Sequence, residues 1–143
     1  MATKDLKALE RHLFEEWNKG KATGMAEIDK TTATNCVFHR GTGDDVHGLK
    51  DFKQYMNGLY TSFPDNKMTL DDMIVEGDKA AIRFTFTGTH KGEYMGIPAT
   101  NKKVTGSIIE IHRIAGGKVV EIWQKFDTLS LMQQLGVIPT PGK

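Results

Sequence analysis

Residues 79–89, Lys-Ala-Ala-Ile-Arg-Phe-Thr-Phe-Thr-Gly-Thr, decide the fold class of this chain of 143 residues. Ile82, Phe84 and Phe86 alternate with smaller or polar residues, a pattern that predicts a strand with one buried face. The turn sequence Glu76-Gly77-Asp78 precedes them and predicts a tight hairpin with a strand over 67–76. An antiparallel sheet is therefore expected to begin here.

The same pattern continues towards the C-terminus. Strands are predicted over 103–114 and 118–126, joined by the hairpin turn Ala115-Gly116-Gly117. The segment 90–101 contains Pro98 and two glycines, so a longer loop is expected there. The four strands form a predicted antiparallel meander.

Helical periodicity dominates the N-terminal half. Apolar residues recur at intervals of three and four, which predicts amphipathic helices. The expected elements are helices over 4–18, 23–29 and 49–62, a short strand over 31–38, and a closing helix over 127–135. Helices and antiparallel strands in separate blocks predict one α+β domain over residues 1–143.

Composition limits the partners. The net charge of +1 provides no basic excess for nucleic acid. The single cysteine, Cys36, allows no disulfide within the chain, and no apolar run is long enough for a membrane span or a secretory signal. The expected location is the cytoplasm, without a membrane or nucleic-acid partner.

The strand over 118–126 is apolar on both faces. Simple alternation places Val119 and Trp123 on one side and Val120, Ile122 and Phe126 on the other. Helices are expected to cover the Trp123 face and to leave a cavity there. A second copy of the chain is expected to cover the other face, which predicts a homodimer.

Two polar residues in apolar surroundings are the candidates for catalysis. Asp127 shares a predicted face with Trp123, where desolvation would raise the pKa of its carboxyl group and suit it to proton transfer. The alternative, which the local sequence favours and which does not exclude the first, is that Asp127 caps the following helix. His112 could assist, or it could be an ordinary hydrogen-bonded strand histidine.

The other candidates are wall residues of the cavity. They are Phe14, Trp17, Tyr94, Trp123 and His39, with plain core packing or solvent exposure as the alternative. The five histidines lie on separate predicted elements without the short spacing of metal ligands, so no metal site is expected.

Three stretches in this order resemble the SnoaL-like polyketide cyclase, or ester cyclase, family. They are Gly88–Pro98, Gly117–Trp123 followed by Asp127, and Gln134-Leu135-Gly136. The resemblance implies a fold like nuclear transport factor 2, in the cystatin-like class: a curved antiparallel sheet that forms a cone-shaped half-barrel closed by the N-terminal helices.

The resemblance also implies chemistry. In this family an aspartate at the position of Asp127 acts as general acid/base in an intramolecular aldol condensation, and a strand histidine similar to His112 assists. No metal or organic cofactor is implied. The expected function is a cofactor-free acid/base enzyme for a small hydrophobic carbonyl compound, by aldol, isomerase or lyase chemistry. The alternatives are a non-catalytic binding protein of the same fold and, less favoured, metal-assisted hydrolysis.

Overall fold

A computed structural model describes residues 2–142, which form four helices and six strands. The helices are α1 (Thr3–Asn18), α2 (Lys21–Thr31), α3 (Leu49–Ser62) and α4 (Thr128–Leu135), and the strands are β1 (Thr32–His39), β2 (Val46–His47), β3 (Lys67–Glu76), β4 (Lys79–Thr89), β5 (Lys103–Ala115) and β6 (Lys118–Phe126). The elements predicted from periodicity are all present, and most of their ends agree within a residue. The second helix is longer than expected, and the two-residue strand β2 was not expected.

The sheet is open and mixed, with strand order β2-β1-β6-β5-β4-β3. The expected meander β3-β4-β5-β6 is present with antiparallel pairing. One pairing departs from the expected antiparallel arrangement, because β1 pairs with β6 in parallel. The helices α2 and α3 flank β1 in the sequence, so β1 reaches its place beside β6 by a long connection rather than by a hairpin.

A β-bulge near the start of β6 changes which side chains face inward. Ile114 pairs with Val119, but the preceding residue, Arg113, pairs with Glu121, so β6 carries one extra residue, Val120. An extra residue shifts the alternation of a strand by one position. Val119 and Ile122, three residues apart, are therefore both buried.

The bulge overturns the predicted faces of β6. Ile122 is buried in the core and Phe126 borders the interior cavity, whereas Trp123 is 36% exposed on the outer face. The expectation that helices cover the Trp123 face, and a second subunit the Ile122 face, is therefore wrong, because it assumed uninterrupted alternation.

The helices lie over the inner face of the sheet. Helix α1 packs against β3 and α2, α3 packs against β1, and α4 packs against β5. Leu6, Phe52 and Phe63 insert between these helices and the inward side chains of the sheet, such as Ile82 and Phe84. This layer of apolar contacts holds the helices in place, and the packing leaves a cavity beside it.

Candidate active site

An interior cavity lies between the inner face of the sheet and the helices. Its volume is about 140 Å³, similar to an apolar cavity that holds benzene. The lining is mostly apolar, and the residues of α1 that face it are Glu10, Leu13, Phe14 and Trp17. These positions, at intervals of three and four, form one stripe of the helix.

Aromatic rings form much of the wall, and packing fixes each of them. The Phe14 ring meets Phe84 edge-on, with ring centroids 5.0 Å apart. Trp17 stacks on Tyr60 at 4.2 Å and donates its indole N–H to Asn66 Oδ1 at 2.7 Å. Since both side chains have fixed partners, the cavity is preformed at this side.

Tyr94 comes from the long loop between β4 and β5. Its backbone forms two hydrogen bonds with Ile97, and its ring meets Phe63 at 5.2 Å. Burial raises the pKa of the Tyr94 hydroxyl, and burial likewise raises the pKa of Tyr55, another residue of the wall. Both hydroxyls therefore stay protonated at neutral pH and can donate hydrogen bonds.

His112 lies on the inner face of β5 between two carboxylates. Its Nδ1 lies 2.7 Å from Glu10 Oε1 on α1, and its Nε2 lies 2.7 Å from Glu110 Oε1, two residues earlier on β5. Burial by itself favours the neutral ring, but the charge and hydrogen bond of Glu10, together with Glu110, outweigh it and raise the pKa of His112 to about 10. The ring is therefore an imidazolium that donates to both carboxylates.

We name Glu10, His112 and Glu110 the Glu–His–Glu cluster. All three residues border the cavity. Glu10 is completely buried, and its second oxygen, Oε2, has no hydrogen-bond partner among residues 2–142. The Glu110 side chain keeps 12% of its surface exposed. The cluster therefore brings a buried ion pair and a more accessible carboxylate to one side of an apolar cavity.

Asp127 lies at the rim of the same cavity, where β6 gives way to α4. Its Oδ1 accepts a hydrogen bond from the Ser130 amide at 2.9 Å and caps the helix. The side chain is exposed, so the closed apolar surroundings expected of a catalytic aspartate are not present here. The expected helix cap is therefore confirmed, and the catalytic role of Asp127 stays a prediction.

Trp123 and His39 do not line the cavity, which corrects the expectation that they form part of its wall. Their rings stack at 5.5 Å on the outer face of the sheet, because parallel pairing sets the two residues side by side. His39 Nε2 lies 2.7 Å from Glu121 Oε2, and Nδ1 lies 2.9 Å from Asp45 Oδ2. These contacts, led by the hydrogen bond with Glu121, raise the pKa of His39.

Sequence reasoning missed Glu10 as a site residue. The hydrogen bond between Glu10 and His112 joins residues 102 positions apart, so no local spacing reveals it. One signal was available: Glu10 lies between Leu6, Leu13 and Trp17 on the apolar stripe of α1. A carboxylate on such a stripe is buried with its neighbours and needs a charged partner.

Among residues 2–142, no group of three or more His, Cys, Asp or Glu side chains is arranged to hold a metal ion. The same part of the chain has no helix long and apolar enough to cross a membrane.

The sequence model of SnoaL-like polyketide cyclases matches residues 7–135. The chain belongs to the SnoaL-like polyketide cyclase family. It is 28% identical over 138 residues to aklanonic acid methyl ester cyclase DnrD of Streptomyces peucetius, with 93% of this chain and 92% of the relative covered.

Solved structures of relatives have the same fold. AclR of Streptomyces galilaeus, a candidate hydroxylase, superposes with a TM-score of 0.85 at 30% identity, over 99% of this chain and 87% of that one. TsrD of Streptomyces laurentii superposes with a TM-score of 0.85 at 27% identity, over 96% and 99%. The expected fold, like that of nuclear transport factor 2, is confirmed.

Proposed function

We propose that the protein is an acid/base enzyme that acts on a hydrophobic carbonyl compound without a cofactor, by aldol cyclisation or a related enolate reaction. The observation that carries this proposal is an apolar cavity bordered by ionisable side chains. Removal of a proton next to a carbonyl needs a placed base, a dry cavity and a hydrogen-bond donor for the enolate oxygen. Carboxylates of the wall can serve as the base, and the tyrosine hydroxyls can serve as the hydrogen-bond donor.

Family resemblance suggests Asp127 as a general acid/base residue, and this role stays a prediction. Its position at the rim of the cavity supports this prediction. His112 was expected to donate a hydrogen bond to the substrate oxygen. Since both its ring nitrogens have carboxylate partners, we propose that it positions the carboxylates instead.

The cavity volume limits the substrate. A cavity of about 140 Å³ is comparable to one that holds benzene, so for a molecule of several fused rings we propose that the reacting part lies inside and the rest projects past the rim. Compounds with one ring, or the reacting end of a larger polyketide, fit the proposal best.

The first experiment uses aklanonic acid methyl ester, the compound in the name of the cyclase relatives, together with smaller ketones that can cyclise. Products are separated by liquid chromatography and identified by mass spectrometry. Turnover that survives treatment with EDTA and extensive dialysis supports the proposal. Turnover that needs an added metal or organic cofactor contradicts it.

A binding protein without catalytic activity is the second candidate. It is favoured by the exposed Asp127 carboxylate, which already serves as a helix cap. This candidate predicts that ligands bind the cavity and leave unchanged, so titration calorimetry would show binding while chromatography shows no product.

We also propose a homodimer in the cytoplasm. Ile109, Ile111 and Trp123 are exposed on the outer face of the sheet, and Ile111 pairs directly with Trp123. Apolar side chains grouped on an exposed face favour contact with another protein surface. The buried free thiol of Cys36 is compatible with a reducing compartment.

A further inference from the structure

The two carboxylates of the Glu–His–Glu cluster differ in their access to the cavity. Glu10 is sealed, with no exposed surface. Glu110 borders the cavity and keeps part of its surface exposed. Its hydrogen bond with His112 uses Oε1, which leaves Oε2 available to a ligand. Glu110 is therefore the member of the cluster that a ligand can reach.

His112 holds the Glu110 carboxylate in place. An imidazolium at His112 donates to Glu110 Oε1 and to Glu10 Oε1, each at 2.7 Å. Hydrogen bonds from a charged donor are stronger than neutral ones, so this contact fixes the orientation of the Glu110 carboxylate. The buried carboxylate of Glu10 in turn stabilises the positive charge on the His112 ring, which is its partner in the ion pair.

Two residues with hydrogen-bond donors, Tyr55 and Gln124, line the cavity together with Glu110. The negative charge of Glu110 is one of the influences that raise the pKa of the Tyr55 hydroxyl, after burial itself. Both residues line the cavity. Gln124, which also lines the cavity, lies directly opposite Glu110 on β6. A carbonyl compound beside Glu110 would therefore find the Tyr55 O–H as a donor.

We propose that Glu110 is an acid/base residue of this cavity, that its Oε2 takes a proton from the carbon next to the carbonyl group of the substrate, and that Tyr55 donates a hydrogen bond to the resulting enolate oxygen. In this step the C–H bond breaks, its electron pair forms the enolate, and the proton forms an O–H bond with Oε2. The cluster passes from a net charge of −1 to zero, and the substrate passes from zero to −1. His112 and Glu10 are positioning residues.

This inference rests on the proposed function, but ligand binding tests it without turnover. The probes are p-cresol, whose hydroxyl mimics an enol, and toluene, which has nearly the same shape and no donor. Their affinities for the complete protein are measured by NMR titration. A hydrogen bond to an ionised carboxylate is expected to make p-cresol bind at least about 10-fold more tightly than toluene.

Glu110→Gln is the decisive variant. Its amide oxygen can still accept a hydrogen bond from His112. In that orientation the glutamine presents its NH₂ group, and not an acceptor oxygen, to the ligand. The preference for p-cresol is expected to fall at least about 10-fold, while the affinity for toluene stays the same. Glu15→Gln, an isosteric change at an exposed position of α1, is the control and should keep the preference. An undiminished preference in Glu110→Gln, or none in the wild type, overturns the inference.

Proton transfer is tested with phenylacetone, an enolisable ketone with one ring. Its exchange of C–H for C–D in D₂O is followed by proton NMR. Wild-type protein is expected to accelerate the exchange, and Glu110→Gln to lower that acceleration about 10²–10⁴-fold. Equal acceleration by both proteins refutes the role of Glu110 and leaves the proposed function standing. The wild type could instead prefer p-cresol but not accelerate the exchange. That result contradicts both the proposed function and proton transfer by Glu110, and it supports only the binding contact.

A measurement on the wild type covers the case in which Glu110→Gln does not fold. Nuclear Overhauser effects are recorded between the ring protons of p-cresol and the side-chain protons of Glu110. Contacts with Glu110 and Tyr55 are expected. Contacts confined to the far side of the cavity, around Trp17, would overturn the inference.

Discussion

Raising the pH should lower the free energy of unfolding of this protein, because the His112 ring loses its proton. The pKa of His112 in the folded protein, about 10, lies above the ordinary value of 6.5, because Glu10 and Glu110 hold the protonated ring. A group whose pKa is higher in the folded state stabilises that state fully below its unfolded pKa. The stabilisation is then lost as the pH rises through the folded pKa, here between about 6.5 and 10.

The size of the effect follows from the same two values. The interval from 6.5 to about 10 corresponds to roughly 5 kcal/mol in the free energy of unfolding. The slope should be about 1.4 kcal/mol for each pH unit in this range. Since domains of this size are stable by about 5–15 kcal/mol, the loss should be large enough to measure.

The assay is urea denaturation at several pH values between 6 and 10, read by tryptophan fluorescence. The reference is the double variant Glu10→Gln with His112→Gln, which replaces the ion pair by two neutral amides and keeps all other titrating groups. The difference in the free energy of unfolding between wild type and reference should shrink as the pH rises. A difference that stays constant over this range would refute the reasoning, as would an NMR titration in which the His112 ring loses its proton near pH 6.5.

Three further outcomes are expected. Asp127→Asn should lower turnover about 10²–10⁴-fold if Asp127 is a general base, with little change in melting temperature because asparagine also caps helices; full activity in this variant would leave the aspartate only its capping role. Gly106→Leu should abolish binding of p-cresol while leaving the fold intact, since a Cβ at Gly106 meets no atom of residues 2–142 within 4 Å and the added side chain fills the cavity; unchanged affinity would exclude the cavity as the binding site. In sedimentation at micromolar concentration the wild type should be a dimer and Trp123→Arg a monomer, whereas a monomeric wild type, or a dimeric variant, would rule out an interface at this face.

The order and type of the elements could be predicted from the sequence because they depend on local patterns. The alternation of Ile82, Phe84 and Phe86 defines β4. The Gly77 turn defines its hairpin with β3, and the Gly116 turn defines the hairpin of β5 and β6. Residues three and four apart on α1 predict one buried stripe, and the structure places Phe14 and Trp17 of that stripe in the cavity wall. Each of these inferences needs only neighbours within one turn or one strand.

The face of β6 and the partners of His112 were decided only by the tertiary structure. The extra residue Val120 is a bulge only because β5 pairs with one residue fewer, so the sequence of β6 alone cannot show that Trp123 faces outward. The pairing of His112 with Glu10 depends on how α1 crosses the sheet. A buried charge is stabilised by the opposite charges that the fold brings beside it. Long-range packing therefore determines the charge of His112 and the position of the Glu110 carboxylate at the cavity.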